Sequence, residues 1–151
     1  MIIIPYPDPD FRLKTENGKD FIFDTYRKLW IFLTEEEWVR QNLIAYLVKD
    51  LKYPSALIAL EKEIFLGELK KRFDILIYDP GYKPWMMIEC KAPSVPLTPE
   101  VLHQVLRYNI SLPVPYITIT NGTYTIVYDK SAGKLNELSQ FPSWDNFHSD
   151  K

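Results

Sequence analysis

The sequence predicts a mixed α/β fold, a central mixed β-sheet flanked by helices with a β-hairpin at the N-terminal end. Three observations predict it. Residues 56–91 contain three apolar runs separated by turn residues, which reads as three successive strands. Two segments open with helix start signals, one at Thr34 and one at Thr98. Near the start, Asn17-Gly18 lies between two strand-like runs, a strong hairpin signal.

The elements follow in order. Residues 1–10 are proline-rich and read as extended. Residues 11–23 (FRLKTENGKDFIF) read as the hairpin, and residues 24–32 as the lead into the first helix. Thr34 is a suitable N-cap, and Glu37 three residues later completes a capping box. The helix then runs to Leu51, with Val39, Leu43, Ile44, Leu47 and Val48 forming the stripe that packs on a sheet. Tyr53-Pro54-Ser55 ends it. Ala56–Phe65, Arg72–Tyr78 and Trp85–Lys91 are the three strands; the last is apolar almost throughout, so it is expected to be central. A proline-rich loop, 92–99, leads to the second helix, with Thr98 at its cap and Pro99 in its first turn. Pro113 and Pro115 stop that helix. Two more strands, Tyr116–Thr120 and Tyr124–Tyr128, flank Asn121-Gly122. The polar stretch 131–151 reads as a loosely held tail.

Composition sets bounds. A chain of 151 residues is expected to form one domain and can bury a core without disulfides. Its 46% hydrophobic content excludes a disordered chain. Cys90 is the single cysteine, which excludes an intrachain disulfide and a cysteine-only zinc site and fits a cytoplasmic location. The apolar start is too short for a signal peptide, and no run approaches a membrane span. The net charge of −2 gives a nucleic-acid role no help; the basic knot Lys70-Lys71-Arg72 and the cation Arg107 give a little.

Chemistry is suggested by charge inside apolar strands. Asp74 lies between Phe73 and Ile75, and Glu89 and Lys91 flank Cys90 at the end of Met86-Met87-Ile88. Strand side chains alternate, so Glu89 and Lys91 share a face and the Cys90 thiol takes the other, as a small buried hydrophobe. Such charges are costly unless paired or bound to an ion. If the two strands are neighbours, Asp74 lies beside Glu89, and a divalent cation relieves their repulsion. This predicts metal-assisted phosphodiester hydrolysis. Asp74, Glu89 and the Cys90 backbone carbonyl would hold Mg²⁺ or Mn²⁺, with Lys91 stabilising developing charge.

Asp74 followed by Glu89-Cys90-Lys91 resembles the D…(D/E)xK signature of the PD-(D/E)xK nucleases, with Phe73 where the motif name has proline. Gln104 and Tyr108, four apart on the second helix, are similar to the QxxxY element of RecB-like members. Leu33 to Gln41, Arg72 to Tyr78, Ile88 to Pro93, Gln104 to Asn109 and Thr120-Asn121-Gly122 together resemble the N-terminal domains of type I restriction enzyme R subunits. The resemblance runs from the hairpin to Tyr128. It implies a restriction-endonuclease-like core, a Mg²⁺-dependent DNA endonuclease, restriction or repair subunits as partners, and a possible homodimer. It also implies an acid on the first helix at the site: Glu37, or Glu36 in its place. No GxxxxGK[ST] phosphate loop is present, so no ATP site is expected and full type I activity is not implied for this chain.

Competing readings are set beside these. Asp74, Glu89 and Lys91 could be a structural ion-pair network, and the chain a catalytically silent nucleic-acid-binding or assembly module; RNA cleavage is a third reading. Arg72 is expected to pair with a site carboxylate or to touch phosphate. Gln104 and Tyr108 are expected to position phosphate or water. Arg40 and Gln41 are expected to brace the first helix, His103 to lie on a helix surface, and His148 to fall in the tail. Trp30, Trp38, Trp85 and Trp144 are expected to pack rather than to stack on bases.

Overall fold

The computed structural model describes residues 1–131 and 133–144, without the side chains of residues 64, 66, 69, 108, 110, 111 and 131. Nine strands and two α-helices are present among them. β1 (Leu13–Glu16), β2 (Lys19–Asp24) and β3 (Leu29–Phe32) form an antiparallel three-stranded sheet. β4 (Ile58–Leu66), β5 (Leu69–Tyr78), β6 (Pro84–Cys90), β7 (Tyr116–Thr120), β8 (Thr125–Ser131) and β9 (Lys134–Leu138) form a six-stranded sheet in that order. All its pairs are antiparallel except β6–β7, whose parallel crossover contains α2 (Pro99–Ser111).

The hairpin forms where Asn-Gly predicts it. Asn17 and Gly18 both have positive φ, 53° and 76°, as a type I′ turn demands. The segment before the first helix differs from the expected lead-in, because Leu29–Phe32 adds a third strand to the hairpin. Asp24 makes that reversal by accepting the backbone N–H groups of Tyr26 and Arg27.

α1 (Glu35–Ala45) begins at Thr34, whose hydroxyl accepts the Glu37 N–H at 3.0 Å. It passes into a π-helical turn, Tyr46–Asp50. Val39, Leu43, Ile44 and Leu47 are buried, and Val48 partly so. They lie on the sheet face made by Ile75, Ile77, Met86, Ile88 and Cys90. α2 covers the other face through Val101 and Val105, packed with Phe73, Leu76, Met87, Ile117 and Ile119. β6 is central, with neighbours on both edges and helices on both faces, which is why it can be nearly all apolar.

The expected loose tail is corrected over its first half. Residues 134–138 are β9, paired with β8, and Phe141 and Trp144 are buried in the core. Trp144 packs edge-on against Trp85 and tilted against Tyr53, with ring centroids at 5.3 and 5.7 Å, so the aromatic side chains hold this end in place. His148 lies outside the described residues. Among the described residues, no helix is long and apolar enough to cross a membrane.

Candidate active site

β5 and β6 pair antiparallel, with Ile75 opposite Ile88 and Leu76 opposite Met87. One step further, the same register sets Asp74 across from Glu89. One Asp74 carboxylate oxygen accepts the Cys90 N–H at 2.8 Å, so the carboxylate reaches across the strand gap and is fixed there. Lys91 leaves β6 just past its end, held by a 2.8 Å bond from its N–H to the Thr120 carbonyl on β7. Its ammonium lies 3.3 Å from Glu89. Asp74, Glu89 and Lys91 are therefore together, each partly screened from water.

Burial, first, and then the charge and hydrogen bonding of Asp74, push the Glu89 carboxyl up to about 8, while Lys91 pulls the other way. Two carboxylates crowded into one half-dry site repel, which favours the protonated form of one of them. Cys90 points to the opposite face and is fully buried, and burial raises its thiol well above the usual range. It stays a neutral hydrophobe; only its backbone carbonyl is available as an oxygen donor.

The first helix contributes three charged side chains with different roles. Glu37 is buried, and its carboxylate takes Arg40, Arg27 at 3.1 Å and Gln41 at 2.9 Å. It is thus an internal counterion rather than an acid open to the site. Glu36 is half-exposed; burial and then the Asp74 charge raise its pKa, while Arg40 and Lys91 lower it, so these are the groups it faces. Of the two acids weighed on sequence, the geometry gives Glu36 the open position. Arg40 is the hub. Its guanidinium bonds Glu37, Glu61 at 3.0 Å and Asp74 at 3.2 Å. Burial works against its charge, but Glu37, Asp74 and Glu61 outweigh burial and raise its pKa.

Behind this lies a layer that sequence reasoning missed. Arg27, in the β2–β3 turn, bonds Asp24 at 2.6 Å and Glu61 at 3.1 Å besides Glu37. Burial alone would raise Asp24, but the hydrogen bonds from Arg27 and Tyr26 outweigh it and lower its pKa. Glu61 on β4 sits opposite Asp74 with a left-handed backbone, φ 49°. That conformation is uncommon for a non-glycine residue and turns its carboxylate toward the two arginines. In all, among the described residues, Asp24, Glu36, Glu37, Glu61, Asp74 and Glu89 form ion pairs with Arg27, Arg40 and Lys91. The one available signal, and only for Glu61, was the charged run Glu61-Lys62-Glu63 in a strand otherwise apolar.

Other expected site residues lie further out. Arg72 is exposed and pairs with Glu63 on β4 at 3.1 Å, so it does not pair with a site carboxylate. Gln104 is half-buried on α2, over the sheet face from which Met87 projects. The Tyr108 side chain lies outside the described residues. His103 is exposed on α2.

The donor set suits a hard divalent cation. Among the described residues, no group of three or more His, Cys, Asp or Glu side chains is arranged to hold a metal. Two carboxylates and a carbonyl are nevertheless what Mg²⁺ commonly takes from a protein, with waters and substrate phosphate completing its shell. The loop beyond Lys91 is fixed too: the Asn121 amide donates to the Val95 carbonyl at 2.9 Å.

Residues 35–142 match the family described as type I restriction enzyme R protein N terminus. A solved fragment described as the HsdR subunit of a type I restriction enzyme, from Vibrio vulnificus, superposes with a TM-score of 0.56 at 23% identity. The match covers 75% of this chain and 24% of that one, so this chain spans about a quarter of its length. At that identity the likeness is one of fold. No curated protein matches the chain.

Proposed function

This chain belongs to the type I restriction enzyme R protein N-terminus family, and from that premise we propose that it is a divalent-metal-dependent endonuclease domain of the PD-(D/E)xK kind, cutting DNA phosphodiester bonds. The observation that carries the reading is the meeting of Asp74, Glu89 and Lys91 across β5 and β6.

Asp74 and Glu89, with the Cys90 carbonyl, would hold Mg²⁺ or Mn²⁺. When bound, the ion supplies Lewis-acid polarisation of the phosphate and a more acidic water. Lys91 shares a face with Glu89 and offers a positive charge to the oxygen that gains negative charge. Glu36 stands on the open side, placed to receive a proton or orient water; Glu37 holds Arg40 in place instead. Arg40 keeps the Asp74 carboxylate aimed toward β6. Gln104, Tyr108 and the exposed Arg72 are the groups proposed to position the substrate. DNA is the proposed substrate, other restriction or repair subunits the proposed partners, the cytoplasm the proposed location and a homodimer the proposed assembly.

One observation favours a second reading, a silent binding or assembly module. Both Asp74 oxygens are already engaged, one by Arg40 and one by the Cys90 N–H. A cleavage assay decides between them. Supercoiled, linear and single-stranded DNA and an RNA are incubated with Mg²⁺ or Mn²⁺ and wild-type, Glu89→Ala or Lys91→Ala protein. The nuclease reading expects metal-dependent cutting of DNA that both substitutions abolish without unfolding the chain. Absence of cutting on every substrate, with or without partner subunits, supports the silent module.

A further inference from the structure

We propose that the outer face of the β1–β2–β3 sheet is a platform for an unpaired nucleic-acid strand. The register places Lys14, Phe21 and Phe32 in one row across the three strands. Phe23 and Trp30 form the next row with Arg12, whose carbonyl accepts the Phe23 N–H. The inner face of the sheet is already used, since Ile22 and Asp24 are fully buried. A solvated face of an antiparallel sheet is ordinarily polar. Here it carries four rings, with Phe32 51% exposed and the other three half-buried. Trp30 is therefore not a core packing residue.

The cations sit among the rings. The Arg12 guanidinium lies 4.8 Å from the Phe23 centroid and 5.5 Å from that of Trp30. The Lys14 ammonium lies 4.5 Å from Trp30 and 5.9 Å from Phe21. Arg12 forms no ion pair among the described residues, whereas Lys14 also meets the exposed Glu16 at 3.2 Å. Aromatic faces interleaved with cations match a ligand that alternates flat bases with phosphates. Phe21 and Phe23, two residues apart on β2, are separated by about 7 Å, which suits bases spread apart rather than stacked. A duplex hides its base faces, so the ligand is an unpaired strand.

The sheet precedes residues 35–142, so it lies outside the matched family segment. It is joined to the site through Arg27, which follows β2 and bonds Glu37 and Glu61. The use of the platform in cleavage rests on the nuclease reading; the binding does not.

The test is fluorescence anisotropy with labelled oligo(dT) and a labelled duplex, in EDTA, with circular dichroism to confirm folding. The expectation is tighter binding of oligo(dT), weakened about five- to fiftyfold by Trp30→Ala or Phe32→Ala. Arg12→Gln, which leaves the rings in place, should lower the salt dependence by about 0.7 of a log–log unit. Binding unchanged in folded variants, a preference for duplex, or no binding overturns the platform. None of these outcomes touches the cleavage reading, because no metal is present; loss of cleavage with intact oligo(dT) binding sinks only that reading.

Discussion

Arg40 separates the structural from the chemical part of the site. It is buried and satisfies Glu37, Glu61 and Asp74 together. Arg40→Met should destabilise by about 3–5 kcal/mol, because it removes a buried cation that Arg27, Gln41 and the Cys90 N–H replace only in part around Glu37, Glu61 and Asp74; thermal melting checks it. Glu36→Gln should change stability by about 0.5 kcal/mol or less and lower cleavage about tenfold or more. Glu37→Gln should show the converse weighting, a larger loss of stability. Equal effects on cleavage at unchanged stability would return the helix acid to Glu37. Glu89 gives a pH prediction. Its folded pKa is about 8 against the ordinary 4.5, so between those values the folded chain binds more protons than the unfolded one. Stability of the metal-free protein therefore falls as pH rises through that window, by about 1.4 kcal/mol for each pKa unit of difference. Glu89→Gln removes the ionisation, so its melting temperature should exceed that of wild type by about 4 °C or more at alkaline pH and by little near pH 4.5. A wild-type Tm that rises with pH across the window would contradict this.

At the scale of elements, glycine and asparagine at the β7–β8 turn explain Thr120-Asn121-Gly122. The Asn121 side chain accepts the N–H groups of Thr123 and Tyr124 and donates to the loop after Lys91. Gly122 has φ 89°, and a Cβ there would lie 3.0 Å from the Val39 side chain of α1. Gly122→Ala should cost about 1–3 kcal/mol, from the left-handed backbone and the close contact together. Pairing it with Val39→Ala should recover part of the loss, measured as a double-mutant cycle in urea; strict additivity would show that only the backbone matters. The long, strongly patterned elements were legible in the sequence. The Asn-Gly hairpin, the Thr34 cap, the α1 stripe and the apolar run of β6 each rest on a local rule that the core does not override. β3 and β9 were not. Leu29–Phe32 is four residues without alternation, wedged between a turn and a helix cap, and Lys134–Leu138 is short and mostly polar. Both are edge strands whose existence depends on a partner far more than on their own residues. The placement of Asp74, Glu89 and Lys91 followed from strand alternation and pairing. Arg27 was invisible, and Glu61 showed only as a charge in an apolar strand, because their roles come from side chains converging across 34 residues.

Over the whole molecule, two cores on opposite faces of one sheet hold β5 and β6 between α1 and α2. Arg27, in the β2–β3 turn, ties the small β1–β3 sheet to Glu37 and Glu61 beside the site. The C-terminal aromatic anchor belongs to the same unit: Trp144 is 6% exposed and packs with Trp85 at the opposite end of β6 from Glu89. Trp144→Ala should therefore cost about 3–5 kcal/mol in chemical denaturation. A near-neutral result would mean that this end is held loosely after all. β5 and β6 crowd Asp74 and Glu89 together, and the proposed divalent ion would supply the opposing charge. Titration of the purified chain with Mn²⁺, followed by electron paramagnetic resonance and calorimetry at neutral pH, tests it most directly. The account predicts uptake of Mn²⁺ with release of protons, lost in Asp74→Asn. No uptake, or uptake that Asp74→Asn leaves unchanged, would contradict it.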